Sequence, residues 1–188
     1  ASKTGQTRIR RNLEAIMPLT RQIFSLVKYY VICVAGVLLL TNFVAKPVVI
    51  RGTSMNPTLQ NFDFALSNRL SIVLGGEIER FDIVVVRSEE GEIVKRVVGI
   101  PGDTISYVNG VLTVNGTQIE EDYIIDDPKK HHADMDVYEE TLGPDEYFLM
   151  GDNRTGSTDS RYFGPFHRGD IISKDMLVLF PFNRIRLV

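Results

Sequence analysis

Tryptophan is absent from the 188 residues, cysteine occurs once and histidine only three times. A lone Cys33 excludes an intramolecular disulfide and any cysteine-built zinc site, and its setting in an apolar run suits a small lipid-facing or packing residue. Two of the histidines, His131 and His132, lie in a charged stretch where adjacent imidazoles are ordinarily solvated, so no metal centre is expected there. His167 follows Pro165-Phe166, and none of the three falls in a segment that looks catalytic, which makes a Ser/His/Asp triad unattractive. A basic body is missing as well. Residues 1–28 hold Lys3, Arg8, Arg10, Arg11, Arg21 and Lys28 against Glu14, a balance of +5, so a net charge of −3 leaves −8 for the remainder. That acidic remainder gives nucleic acid no patch to bind. With 44% hydrophobic and 24% charged residues, a folded chain is expected rather than a disordered one.

One long apolar run is present. Residues 29–45 carry no charge, and 17 residues at ~1.5 Å each span about 26 Å, a little short of a ~30 Å hydrocarbon core. Starting at Phe24 closes the gap, because Lys28 can extend to the interface, where Tyr29 and Tyr30 also belong. A cleavable signal peptide would have a shorter apolar core and a small residue where Phe43 stands, three positions up to Ala45. A buried helix would need a cover that nothing later supplies. The expected organisation is therefore a basic tail or short amphipathic segment at 1–23 and an uncleaved transmembrane helix at 24–45. Residues 46–188 would form a body on the extracytoplasmic side, with the N-terminus cytoplasmic in a single-pass cell-membrane protein.

Beyond Pro47 the pattern changes to short β-branched or aromatic runs separated by turn residues: 48–50, 62–66, 83–86, 93–98, 104–108, 111–114, 146–150, 171–172 and 176–180. Asn109-Gly110 marks a type I′ hairpin, and 68–74 reads as a brief helical turn stopped by Gly75-Gly76. No dozen-residue stretch of the body has helical periodicity, so the body is mainly β and antiparallel. Residues 120–143, rich in Asp, Glu, Lys and His around Pro128, read as a polar cap or loop insertion.

Two segments carry candidate chemistry. Arg51-Gly52-Thr53-Ser54-Met55-Asn56-Pro57 presents one hydroxyl, Ser54, on a glycine-bearing turn just after an apolar strand signal. Pro57 holds its own φ and keeps Asn56 out of helix. The second segment, Glu92-Ile93-Val94-Lys95-Arg96-Val97-Val98-Gly99-Ile100-Pro101-Gly102-Asp103, sets a lysine among β-branched residues. Serine is a poor nucleophile until a base takes its proton. Lysine serves if burial lowers its pKa from ~10.4 towards ~7–8. Alternation alone leaves the choice open: Lys95 shares a face with Ile93 and Val97, Arg96 one with Val94 and Val98, and a lysine on an edge strand also protects against aggregation.

These segments, the short box Arg80-Phe81-Asp82-Ile83-Val84-Val85-Val86 between them, and Gly151-Asp152-Asn153-Arg154-Thr155-Gly156-Ser157-Thr158-Asp159-Ser160-Arg161 resemble, in order, the bacterial type I signal peptidases. These are membrane-anchored serine proteases with a Ser/Lys dyad. The resemblance implies a β-rich signal-peptidase-like catalytic domain with Ser54 as nucleophile and Lys95 as general base. It also implies that Ser157 orients the amine and that Asp159 and Arg161 pair beside it. Arg96 is read as structural, and Asp152 and Arg154 as supporting or packing residues. Gly151 and Gly156 are expected to supply φ > 0 turns.

For the oxyanion hole the Ser54 N–H is the expected donor. Gly52 stands where some members place a serine hydroxyl, as Gram-positive-type enzymes commonly do, so a second donor is another backbone group or water. Phe81 stands where the family often has glycine and is read as packing at a strand start. The family cleaves exported preproteins after small-x-small residues, the peptide adding as a strand over shallow pockets. Ile50, Met55 and Ile93 are the expected lining, with Met55 in the groove or against the membrane. Preprotein signal peptides, the lipid bilayer and the secretion machinery are the implied partners, and no metal or organic cofactor is implied. An assembly factor of pilus biogenesis with secondary or no proteolysis is the alternative from another class. A soluble repressor-cleaving autoprotease is a third reading that the apolar run opposes.

Overall fold

The computed structural model describes residues 3–124 and 135–188, with side chains from residue 20 onward. His131, His132 and Pro128 lie outside the described residues. The chain divides into two compact units, Ala1–Asn42 and Phe43–Val188.

The first unit is helical. Helix α1 runs Lys3–Leu39 and continues as a π-helical turn, Leu40–Val44. The helix thus extends through the stretch read as a basic tail. Arginine, leucine, glutamate, alanine and methionine between positions 8 and 17 favour helix, and extending an existing helix needs no new nucleus. Thr20–Val44 is long and apolar enough to cross a bilayer. Ala45 begins a strand rather than ending the helix, since Lys46 precedes Pro47 and is held extended.

The second unit is two antiparallel sheets. The larger contains β1 (Ala45–Val49), β2 (Phe64–Asn68), β3 (Ile83–Ser88), β4 (Gly91–Gly99), β9 (Glu146–Met150), β10 (Phe166–His167), β11 (Ile171–Phe180) and β12 (Arg186–Leu187). Its order is β1-β2-β11-β3-β4-β9-β10, with β12 also on β11. The smaller contains β5 (Thr104–Val108), β6 (Val111–Val114), β7 (Thr117–Gln118) and β8 (Val137–Thr141), in the order β7-β6-β5-β8. A short helix, α2 (Leu70–Val73), follows β2, and α3 (Ser160–Phe163) precedes β10.

β3 explains why the larger sheet is stable. Its run Ile83-Val84-Val85-Val86 is buried throughout, because both faces of the sheet are covered. Ile83 and Val85 pack with Ile50, Met55, Leu59 and Met176, whereas Val84 and Val86 pack with Val97, Leu149 and Phe166. A third cluster, including Val98, Ile105, Leu112 and Phe148, joins the smaller sheet to β4 and β9. Between β4 and β5 the chain turns at Ile100-Pro101-Gly102-Asp103. Asp103 accepts from the Ile100 N–H at 2.8 Å, from Arg80 at 2.9 Å and from Asn115 at 2.8 Å, which fixes the exit of β4.

Two strand expectations change. The 120–143 segment is not only a polar excursion, for β8 lies within it and pairs with β5. The runs at 171–172 and 176–180 are one strand, with a register shift between Lys174 and Met176 where Asp175 sits at φ 49°.

The sheet junction leaves no room at Gly99. A Cβ there would lie 2.7 Å from Ile105 Cδ1 and 2.8 Å from Leu142 Cδ1. Gly99→Ala is expected to destabilise by about 1–3 kcal/mol through overpacking, read as a lower urea midpoint at unchanged m value in detergent. An unchanged midpoint would show that the two sheets yield freely at this point.

Candidate active site

Ser54 sits in a loop whose two ends are tied together. Ile50 N–H donates to Asp63 O at 2.8 Å, Phe62 N–H to Ile50 O at 2.9 Å, and Gly52 N–H to the Asn61 side chain at 3.0 Å. Within it, Asn56 N–H donates to Thr53 O and Leu59 N–H to Met55 O, coiling the segment around Ser54. Met55 and Leu59 are buried in the core and anchor the coil from below. Gly52 has φ +90°, a left-handed value that suits glycine, with open space where a Cβ would go. The turn is docked onto the third segment by Asn153, whose backbone N–H donates to Ser54 O at 2.9 Å and whose side chain donates to Thr53 O at 3.2 Å.

Lys95 lies in β4 opposite Val84 and is 3% exposed. Its amine donates to Ser157 Oγ at 2.9 Å, its one hydrogen bond among the described residues. The Ser157 backbone carbonyl accepts from Arg161 at 3.4 Å. A neutral amine that donates one proton to the Ser157 hydroxyl keeps its own lone pair free to accept a proton from elsewhere. Burial pushes Lys95 below the ordinary lysine range. Asp159 pulls it back, and Arg161 opposes that pull.

Asp159 is held ionised. Burial alone would raise its pKa, but Arg161 grips both oxygens at 2.8 Å and Gly151 N–H donates at 2.9 Å, and the net direction is down. Arg161 also donates to Arg154 O at 2.8 Å. This pair is fully buried, and the guanidinium offsets part of the carboxylate's pull on the lysine.

Ser54 and Lys95 line one groove of about 240 Å³ between β1 and β4, together with Val48, Ile50, Met55, Ile93 and Val94. Ile50, Met55 and Ile93 are thus gathered at this groove, and burial of Met55 takes it away from any membrane surface. At the far end Lys46 meets Glu92 at 2.6 Å. His167 is exposed on β10 and does not line the groove. Arg96 leaves β4 on the side opposite Lys95, binding both oxygens of Asp152 at 2.8 and 2.7 Å and the Phe81 carbonyl at 3.0 Å. It also stacks over the Tyr123 ring at 4.1 Å.

Phe81 has φ 77°, the left-handed region, which accounts for glycine being the easier residue at that place. Its ring packs 5.9 Å from Tyr123. The strain of order 1–2 kcal/mol is met by that contact and by the bond from Arg96 to its carbonyl.

Gly151 and Gly156 do not adopt positive φ, contrary to expectation. Close approach is what demands glycine: a Cβ on Gly151 would lie 2.3 Å from Ser157 Oγ and 2.6 Å from Ser54 O, and one on Gly156 would meet the Asn153 amide at 2.6 Å. Three further residues were not singled out from the sequence. Asn153 is the clasp between the first and third segments. Glu121 and Tyr123 come from the stretch read as solvated: Glu121 binds Arg154 through both oxygens, one at 2.6 Å, and accepts from the Tyr123 hydroxyl. Arg154 is buried and donates to Gly151 O at 3.1 Å, so Glu121 steadies the loop that carries Ser157 from behind.

The sequence profile described as "Signal peptidase, peptidase S26" matches residues 23–180. "Signal peptidase I S" of Bacillus subtilis (strain 168) is 37% identical over 173 residues, covering 88% of this chain and 94% of that protein. "Signal peptidase I P" of Bacillus subtilis subsp. natto is 39% identical over 169 residues, covering 85% and 90%. The crystal structure of a signal peptidase I from Enterococcus faecalis V583 is 29% identical, with 52% of this chain and 96% of that chain covered and a TM-score of 0.44.

Gly151 gives the sharpest test of how closely the groups are packed. Gly151→Ala is expected to lower kcat by about 10²-fold or more, because the methyl group displaces Ser157 from Lys95 and pushes on the Ser54 carbonyl. Peptide-cleavage kinetics beside circular dichroism measure it, and wild-type kcat in the folded variant would contradict this packing.

Proposed function

The chain belongs to the S26 signal peptidases, and from that premise we propose that it works as a membrane-anchored type I enzyme with Ser54 as nucleophile and Lys95 as general base. The family membership makes it a serine peptidase that removes signal peptides. The observation that carries the Ser/Lys assignment is the buried Lys95 amine, held by a hydroxyl and opening on the groove that Ser54 also lines.

The chemistry follows from the groups present. Neutral Lys95 takes the Ser54 hydroxyl proton as Oγ attacks the scissile carbonyl. The oxyanion meets the Ser54 N–H, which donates to no acceptor among the described residues. Lys95, now protonated, returns the proton to the leaving amine, and the C–N bond breaks to leave an acyl-enzyme. Lys95 then deprotonates the water that releases Ser54. Ser157 keeps the amine aimed throughout, and Arg161, fixed by Asp159, holds the Ser157 carbonyl.

Specificity for small-x-small sites has support in the modest volume of the groove and its lining by Ile50, Met55 and Ile93. An extended peptide would add along β1, an edge strand of the larger sheet. Support for anchoring comes from Thr20–Val44, and the basic residues at 1–28 favour a cytoplasmic N-terminus with residues 46–188 outside.

Detergent-solubilised chain is expected to cut a preprotein after an Ala-x-Ala site. Lys95→Met should lose about 10²–10⁴-fold in kcat/KM and Ser54→Ala more. Because the base acts deprotonated, kcat/KM should rise with pH along an acid limb placed below the ~10.4 of a free lysine. Full activity in Lys95→Met, or a limb at the free-lysine value, would overturn the assignment.

A further inference from the structure

Lys46 and Glu92 meet at 2.6 Å across the far end of the groove, and the chemistry proposed for Ser54 and Lys95 makes no use of them. Lys46 is on β1 and Glu92 on β4, and the sheet order β1-β2-β11-β3-β4 sets three strands between them. At ~4.8 Å per strand, a flat sheet would hold β1 about 19 Å from β4, more than the two side chains together can span. The contact therefore requires the sheet to coil until its edge strand lies over β4, and the groove is the space so enclosed.

Both charges are turned into that space. Alternation places Lys46 on the face of β1 that carries Val48 and Ile50, and Glu92 on the face of β4 that carries Val94. Those three apolar residues belong to, or pack on, the cluster of Met55 and Val85 that floors the groove. The Lys46 side chain is 20% exposed and that of Glu92 47%. An ion pair this open to water adds little to stability, so its consequence lies in its place: it bridges the two walls over an apolar floor.

Distance along the strands says which part of a substrate meets it. Glu92 precedes Lys95 by three residues, about 10 Å at ~3.3 Å each, and Lys46 precedes Ile50 by four, about 13 Å. A peptide bound in extended form advances by the same rise. With its scissile carbonyl at Ser54 and the residues before the cut in the groove, it has room for about three of them before it reaches the ion pair.

We propose that Lys46 and Glu92 are specificity-determining residues, whose ion pair closes the far end of the groove to an extended chain longer than about three residues before the scissile bond. This rests on the peptidase reading, with the residues before the cut lying in the Ser54 groove. A substrate whose chain leaves the groove at that point keeps the pair intact, whereas one that continues as a strand has to part it. The selection acts on the path of the chain and not on any one side chain there.

Two uncharged peptides sharing one Ala-x-Ala site test this with the detergent-solubilised full-length chain. One is acetylated at the third residue before the cut, and the other continues upstream through alternating threonine and valine, which favour the extended form. The quantity read is kcat/KM for the long peptide divided by that for the short one. Lys46→Met, which removes the pair and keeps the bulk of the stem, is expected to raise this ratio about 2–5-fold, through KM and not kcat. Sodium chloride at about 0.5 M should raise the ratio of the parent chain in the same direction and leave that of the variant alone, because salt screens exposed charges. The charge-reversed double variant Lys46→Glu/Glu92→Lys should return the ratio to the parental value, which neither a damaged fold nor the loss of one charge would do. Equal ratios in the parent and Lys46→Met would overturn the proposal while leaving the peptidase reading in place. So would a ratio that falls in Lys46→Met, since the two residues would then hold the longer chain. Cleavage of neither peptide by the parent would overturn the peptidase reading and this proposal with it.

Discussion

Desolvation of one amine is the constraint on which the rest of the site depends. A lysine in water holds its proton and cannot act as a base near neutral pH. Lys95 is removed from water on β4 and supplied with a hydroxyl partner in place of a carboxylate. A carboxylate would have restored the charge that burial suppresses. The arrangement costs stability, and the sign can be followed. The folded amine binds its proton more weakly than the unfolded one, so stability is greatest above the unfolded pKa. It declines as pH falls towards the folded value and is constant below it. Such a cost is tolerated where function requires the neutral form.

Holding that hydroxyl in place takes more polar structure than the proposed pair of Ser54 and Lys95 itself. Asp159 and Arg161 fix Ser157, Gly151 closes the approach, Asn153 fastens the Ser54 turn, and two further buried pairs, Arg96 with Asp152 and Arg154 with Glu121, brace the loop between them. Buried ion pairs are poor sources of net stability, since desolvation of each partner offsets the attraction. Their value here is geometric. Each is bidentate or shared with a backbone carbonyl, so each fixes an orientation, and together they determine where the loop carrying residues 151–161 lies against β4.

What could be read from the sequence was what depends on neighbours in the chain. Asn109-Gly110 makes its hairpin with φ of 53° and 80°, because both residues tolerate the left-handed region a type I′ turn requires. Ser54, Lys95 and Ser157 were singled out through ordered motifs, and the fold gathers Ser54 and Lys95 at one groove with Ser157 against the Lys95 amine. Alternation could not choose between Lys95 and Arg96, since β4 is covered on both faces and buries both cations. Residues whose role is set by distant partners stayed hidden. Glu121 sits in the run Glu120-Glu121-Asp122, which reads as solvated until Arg154, 33 residues away, is placed against it. β8 escaped because Tyr138 and Glu139 face solvent and its polar sequence lacks a strand signal. Gly151 was noticed for the wrong property: its small size is needed, and its freedom in φ is not used.

The central claim, that Lys95 carries no proton when the enzyme works, is tested most directly by titrating that amine. Carbon-13 labelling at lysine Cε, with Lys95→Met used to assign the resonance, gives its pKa by NMR in the detergent-solubilised Ser54→Ala chain. A midpoint well below the ~10.4 of a free lysine, moving upward when Ser157 is replaced by aspartate, is the result this account predicts. A resonance that titrates with the other lysines near ~10.4 would contradict it and remove the base from the mechanism.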